Sequence, residues 1–238
     1  MAGLDFSQYG YEKTKFPLLV FNFKTYRQAT GSRAEKLAIM SDEVSDEYGV
    51  GIVVCPQAAD IYRISGKISI PIFAQHIDDR IGKYTGSTSP LVVKQNGAIG
   101  TLLNHSENGL TLPQIRTRIE SAKDVGLFTL CFAESVEESL EIARYNPDMI
   151  AYEPPELVGT GISVSSARPE VITEFARKMK ETNPEIRRLC GAGIRKGQDV
   201  IDSIKLGADG GVVFSSGPIL DWNQKETLIE YAEAIKTA

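Results

Sequence analysis

The chain has 238 residues, 42% hydrophobic and 24% charged, with 26 basic and 31 acidic side chains and a net charge of −5. This is the composition of a soluble globular protein. No apolar run reaches the roughly 18–20 residues of a membrane span, and the polar, mixed-charge start at 1–15 is not expected to be a secretory signal. An acidic chain without a basic block argues against a nucleic-acid backbone as the main partner, while leaving room for a small anion held by local geometry.

In chain order, residues 1–16 read as an extension or a strap, ahead of a series of short apolar, β-branched runs. These runs are expected to be strands at 18–23, 51–55, 71–74, 100–103, 128–132, 149–152, 188–190 and 211–214. They are nearly continuous in apolar residues rather than alternating, which fits strands buried on both faces of a parallel sheet. Helical patterns lie between them. Segment 33–48 carries Leu37, Met40, Val44 and Tyr48 close to a 3.6-residue period. Segments 112–125, 136–145, 169–182, 197–206 and 225–236 read similarly, and 57–65 and 89–95 more weakly. Gly49, Gly126 and Gly207 follow helix ends, where glycine is favoured.

Eight strands, each followed by a helix, predict a single (β/α)8 barrel over the whole chain, a fold of roughly 250 residues. An open doubly wound sheet is the alternative. Against it, the stretch after the first strand, FNFKTYRQATG, lacks a glycine-rich dinucleotide loop. Cys55, Cys131 and Cys190 all lie in apolar segments with no paired spacing, which points to reduced, buried thiols in a reducing, cytoplasmic compartment. With only two histidines, a structural metal site is not expected.

In such a barrel the chemistry sits at the C-terminal ends of the strands. Asn22 and Lys24 close the first strand, and alternation sends both to one face and Phe23 to the other. His105 follows the fourth strand, with Ser106 and Glu107 able to start a short helix whose N-terminus would favour the neutral imidazole. His76, beside Asp78 and Asp79, reads as structural. Glu153 ends the sixth strand, where an apolar context makes a carboxylate costly unless it is functional or paired. The segment 154–161, between Pro-Pro and Gly-Thr-Gly, reads as a lid with two hinges, and Glu156 as solvent-exposed. Gly191-Ala192-Gly193 and Ser215-Ser216-Gly217 follow the seventh and eighth strands, where barrels bind phosphate through backbone N–H groups.

Taken together and in this order, Asn22-Phe23-Lys24, Asn104-His105-Ser106-Glu107, and Tyr152-Glu153-Pro154 with Gly159-Thr160-Gly161 resemble the triosephosphate isomerases, in the shorter archaeal form. The chain departs from common members in having Asn108-Gly109 where they carry two arginines, and Leu157 in a lid that usually carries tryptophan. The resemblance implies a TIM barrel and an aldose–ketose isomerase that interconverts dihydroxyacetone phosphate and D-glyceraldehyde 3-phosphate in glycolysis and gluconeogenesis. It assigns Glu153 as base, neutral His105 as the group polarising the carbonyl, and Lys24 as the stabiliser of an enediolate. The base, neutral histidine and closing loop are the established roles of this enzyme family, so they come with the resemblance. It further implies that Asn22 orients the substrate, that Glu107 positions Lys24 or the helix after His105, and that the phosphate rests on Val158, Gly159, Gly193, Ser215 and Ser216. No metal or organic cofactor is implied. Self-association as a homodimer or homotetramer is, through the loop 75–90 that includes Tyr84-Thr85-Gly86. The rivals are a Schiff-base aldolase or amino-acid-biosynthetic synthase on the same barrel, which leaves Glu153 and the lid without a use, and a binding protein that has lost turnover.

Overall fold

The short apolar runs do form strands: β1 (Leu18–Asn22), β2 (Gly51–Cys55), β3 (Phe73–Ala74), β4 (Gly100–Leu103), β5 (Phe128–Ala133), β6 (Met149–Tyr152), β7 (Arg187–Cys190) and β8 (Gly210–Phe214). They come from a computed structural model that describes residues 6–11, 14–158, 160–214, 219 and 223–238. Every ladder is parallel, in the order β2-β1-β8-β7-β6-β5-β4-β3. The remaining gap is spanned by a parallel bridge from Val54 to Ile72, so the sheet returns on itself as a TIM barrel. Helices α1 (Ser32–Tyr48), α2 (Ala58–Ser65), α3 (Pro90–Gln95), α4 (Leu112–Asp124), α5 (Val136–Ala143), α6 (Val164–Ala167), α7 (Pro169–Thr182), α8 (Gly197–Lys205) and α9 (Gln224–Thr237) cover the strands.

Two apolar layers result. Leu18, Val20, Val53, Cys55, Phe73, Leu102, Leu130, Phe132, Met149, Ala151 and Leu189 fill the barrel interior. The alternate residues, among them Leu19, Phe21, Phe23, Val54, Leu103, Cys131, Ile150 and Tyr152, pack outward against helical Leu37, Ile61, Ile119, Ile142 and Phe175. Burying each of the Val, Leu, Ile, Phe and Met side chains among them contributes about 1.5–3 kcal/mol. Both sides of each strand are therefore apolar, which is why the runs are unbroken.

The differences from the expected elements have local causes. β1 stops at Asn22 because the Asn22 side-chain oxygen accepts the Lys24 N–H at 2.9 Å and Lys24 turns left-handed, with φ +47°. β3 is only two residues long, since Pro71 has no N–H for a ladder and offers only its carbonyl, to the Val54 N–H at 3.1 Å. The four-residue α6 was not expected; the Ser163 hydroxyl caps it by accepting the Ser166 N–H at 3.2 Å.

The extension reaches the floor of the barrel. Phe6 is 1% exposed and belongs to the interior layer. Its ring lies 6.1 Å from Phe16, 6.3 Å from Phe73 and 5.3 Å from Phe128, residues just before or at the starts of β1, β3 and β5. The Arg187 guanidinium covers one of these rings, 4.5 Å over that of Phe16.

Candidate active site

The opposite end of the barrel gathers the polar residues picked out from the sequence. Asn22, Lys24, Thr25, Gln75, His76, His105, Glu107 and Asn108 line a cavity of about 240 Å³. Lys24 reaches across it: its ammonium donates to Glu107 Oε1 at 2.7 Å. Its backbone is held on both sides, the N–H by Asn22 and the carbonyl by the Gln75 amide, which donates to Lys24 O at 2.8 Å and to Cys55 O at 2.9 Å. Gln75 was not singled out in the sequence. The available signal was its place, a polar residue closing β3 as Asn22 closes β1.

His105 is buried and sits at the start of a short 3₁₀ turn, Ser106–Asn108. Its Nδ1 accepts the Glu107 N–H at 3.1 Å, so in the neutral ring the proton is on Nε2. Burial, helped by the Lys24 charge, pushes the imidazole pKa down to about 4, with Glu107 opposing. The neutral form was expected from a helix terminus; burial is the larger cause. The Phe132 ring packs edge-on at 4.9 Å.

Glu153 continues β6 by one residue, its N–H donating to Ala133 O at 2.8 Å. It is 1% exposed, and neither carboxylate oxygen accepts a hydrogen bond among the described residues. The nearest cation-capable group is His105, whose Nε2 lies 3.4 Å from Glu153 Oε2. Burial pushes the carboxyl up to about 8 against the pull of Lys24. Burial without donors disfavours the charged carboxylate, so the group holds its proton more tightly and is a stronger base when ionised. Glu153 is not among the residues that line this cavity; it lies beside His105, which is.

His76 also lines the cavity, but its Nε2 lies 3.4 Å from Asp78 Oδ1. Asp78 in turn accepts from Arg118 at 3.0 Å and from the Thr88 N–H at 2.8 Å. Burial and Arg118 push the His76 pKa down while Asp78 opposes.

The segment after Glu153 forms a 3₁₀ turn, Pro155–Leu157, with Leu157 and Val158 half-buried and Glu156 exposed and paired with Arg168 at 2.8 Å. Its far end meets the loop after β7. Gly193, at φ +73°, comes so close that a Cβ there would collide with the Ile162 carbonyl oxygen, and the Val164 N–H donates to Ala192 O at 3.2 Å. Gly161 is also left-handed, at φ +76°. Of the expected phosphate loops, Gly193 packs against Ile162, and the Val158 N–H donates to Pro155 O at 3.2 Å within its own turn, while Gly159, Ser215 and Ser216 lie outside the described residues. The three cysteines are free and buried. Among the described residues no cluster of three potential ligands could hold a metal ion, and no helix is long and apolar enough to cross a membrane.

Comparison with known proteins adds an independent line. A family model described as triosephosphate isomerase matches residues 17–232. The triosephosphate isomerase of Methanobacterium bryantii is 46% identical over 220 residues, 92% of this chain and 97% of that protein. That of Methanothermus fervidus is 43% identical over 215 residues, 90% and 96% of the two chains. That of Methanocaldococcus jannaschii is 42% identical over 219 residues, 92% of this chain and 100% of the other.

Proposed function

The chain belongs to the triosephosphate isomerase family and interconverts dihydroxyacetone phosphate and D-glyceraldehyde 3-phosphate, and we propose that Glu153, His105 and Lys24 carry the chemistry. The observation that supports this most is the pairing at the mouth: a neutral imidazole with its Nε2 3.4 Å from a buried carboxylate that accepts no hydrogen bond among the described residues.

Glu153 removes the proton from the carbon next to the carbonyl. The C–H electron pair becomes the carbon–carbon double bond, and the carbonyl oxygen takes the negative charge of an enediolate. His105 Nε2–H donates to that oxygen and moves the proton between the two enediolate oxygens. Glu153 then returns its proton to the neighbouring carbon, so no redox partner is needed. Lys24 faces charge that exists only after proton removal, so it favours the transition state over the neutral-carbonyl ground state. Asn22 orients the substrate and holds the Lys24 backbone, and Glu107 aims the ammonium. The phosphate rests on backbone N–H groups of Val158, Gly159, Gly193, Ser215 and Ser216, with 154–161 as the lid that excludes water. No metal or cofactor takes part.

The chain works as one domain, with 1–16 as an extension, in the cytoplasm, and it self-associates as a homodimer or homotetramer through the loop 75–90. Supporting this, the loop is tied at its base by paired bonds between Asp78 and Thr88 and presents Ile81, 64% exposed, and Tyr84, 52% exposed, at its outer part. Light scattering at several concentrations tests it, and a monomer throughout refutes it.

The chemical reading is tested with Glu153→Gln. The near-isosteric variant is expected to bind a phosphorylated enediolate mimic as the parent does, and to lose about 10²–10⁴ in kcat, the range of a general base. Turnover near the parental value removes Glu153 from the mechanism.

A further inference from the structure

His105 stands where simple alternation would not put it. In β4, Leu102 faces the barrel interior and Leu103 faces the helices. An uninterrupted strand would send residue 104 inward and residue 105 out toward the helices. The structure has the reverse arrangement: His105 lines the mouth cavity, and the Asn104 side chain reaches β5 and α5. The switch coincides with a left-handed backbone at Asn104, φ +59°, a conformation that asparagine adopts more readily than other residues bearing a side chain.

The Asn104 amide is buried and fully engaged. Its Nδ2 donates to Phe132 O at 2.9 Å and to Glu138 Oε1 at 3.1 Å, and its Oδ1 accepts the Leu110 N–H at 2.7 Å. The last bond closes the loop that carries His105. The first ties that loop to the end of β5 and the second ties it to α5. Glu138 extends the tie, because its Oε2 accepts the Glu134 N–H at 2.7 Å. Glu153 holds the same stretch from its other side, through its bond to Ala133 O. Residues 132–134 are therefore a common anchor for His105 and Glu153.

We propose that Asn104 is a positioning residue for the acid–base pair: its backbone turns His105 into the mouth, and its amide locks the His105 loop to the β5 end that also holds Glu153. This rests on the reading of His105 and Glu153 given above. The charged groups facing the imidazole are Lys24 from β1, Glu107 from its own loop and Glu153 from β6. The Asn104 side-chain bonds go to Phe132, Glu138 and Leu110 instead, so loosening the loop alters the distances of these charges to the ring without removing any.

The experiment compares the full-length parent with Asn104→Gly, Asn104→Asp, Asn104→Asp combined with Glu138→Gln, and His105→Gln. Steady-state kinetics are measured alongside an NMR titration of the His105 ring. Glycine keeps the left-handed turn and removes all three side-chain bonds. It is expected to lower kcat by about 10- to 100-fold, as for a small displacement of a catalytic group, with KM changed far less. The His105 titration should rise from about 4 toward the ordinary 6.5 as water reaches the ring. Aspartate is isosteric but sets a carboxylate against Glu138 and the Phe132 carbonyl, so it should be worse. Adding Glu138→Gln reverses the donor and acceptor of that bond and should restore part of kcat. If aspartate prevents folding, recovery of the fold in the double variant is the same rescue.

Parental kcat and parental His105 titration in Asn104→Gly, with His105→Gln inactive, overturn the inference and leave the proposed function standing. A fall in kcat with an unmoved titration and no rescue likewise reduces Asn104 to a structural residue. Parental turnover in His105→Gln brings down the functional reading itself.

Discussion

At the floor of the barrel, Phe6 packs among Phe16, Phe73 and Phe128, and a guanidinium covers the Phe16 face. At the mouth, a few residues farther along the same strands, the Glu153 carboxylate is buried without a hydrogen-bond donor among the described residues, and Lys24 and Asn104 are held left-handed. The floor is closed by ring packing, whereas the mouth keeps a buried carboxyl group without a donor and two residues in a strained backbone. A strained non-glycine backbone costs of order 1–3 kcal/mol and persists only where its surroundings over-determine it. Here the over-determination is visible, in the bonds from Asn22 and Gln75 to Lys24 and in the three bonds of the Asn104 side chain. Apolar packing elsewhere in the barrel offsets that cost, so the two ends should respond to substitution in different measurements.

The largest expected effect at the floor is on stability. Phe6→Ala should lower unfolding free energy by about 3–5 kcal/mol, the usual range for a buried phenylalanine, with kcat preserved at temperatures where the variant is folded. The family match begins at residue 17, so the side chain responsible lies ahead of it. Parental stability in a denaturant melt would show that the extension does not seal the floor.

The mouth should answer in the opposite way. Lys24→Met should add about 2.7–4 kcal/mol to the barrier, as loss of one electrostatic stabiliser does, while changing stability little. A denaturant melt and kcat/KM on the same sample separate the two effects, and retained activity would remove Lys24 from the site.

The pH profile sharpens the contrast further. Glu153 accepts a proton only when ionised, and burial raises its pKa to about 8. The base form therefore grows as pH rises through that value, placing the acid limb of kcat/KM well above the ordinary carboxylate value of 4.5. His105, neutral above about 4, does not set this limb. Lys24 lowers the Glu153 pKa, so Lys24→Met should move the limb upward. A limb at the ordinary carboxylate value would contradict the burial argument.

The smallest effect is expected from His76→Gln. His76 lines the cavity, but it faces Asp78 and the base of the loop 75–90. Turnover should stay near parental, and a large loss would exchange the roles of the two histidines.

Much of this was legible in the chain. The strand runs, the helix periods and the glycines after helices depend on residues a few positions apart, so pattern alone located the eight β/α units. Asn22, Lys24, His105 and Glu153 could be placed because each follows an apolar run, and in a parallel barrel all such ends open at one mouth. Gln75 follows the same rule but was passed over, since β3 is too short to mark its end clearly.

What required the tertiary structure depends on distances across the barrel. The sequence places Lys24 and Glu107 83 positions apart, and closure of the barrel brings them to 2.7 Å. The depressed histidine and the elevated glutamate arise from burial by strands and loops remote in the chain, which no local pattern encodes. Alternation would have turned His105 outward, and only the left-handed Asn104, held by β5 and α5, turns it into the mouth. Phe6 read as part of an extension because its partners Phe73 and Phe128 belong to other strands. Short-range sterics and hydrophobic periodicity thus determined the elements and their order, whereas solvation and Coulomb interactions, which act through space, were decided only once the barrel closed.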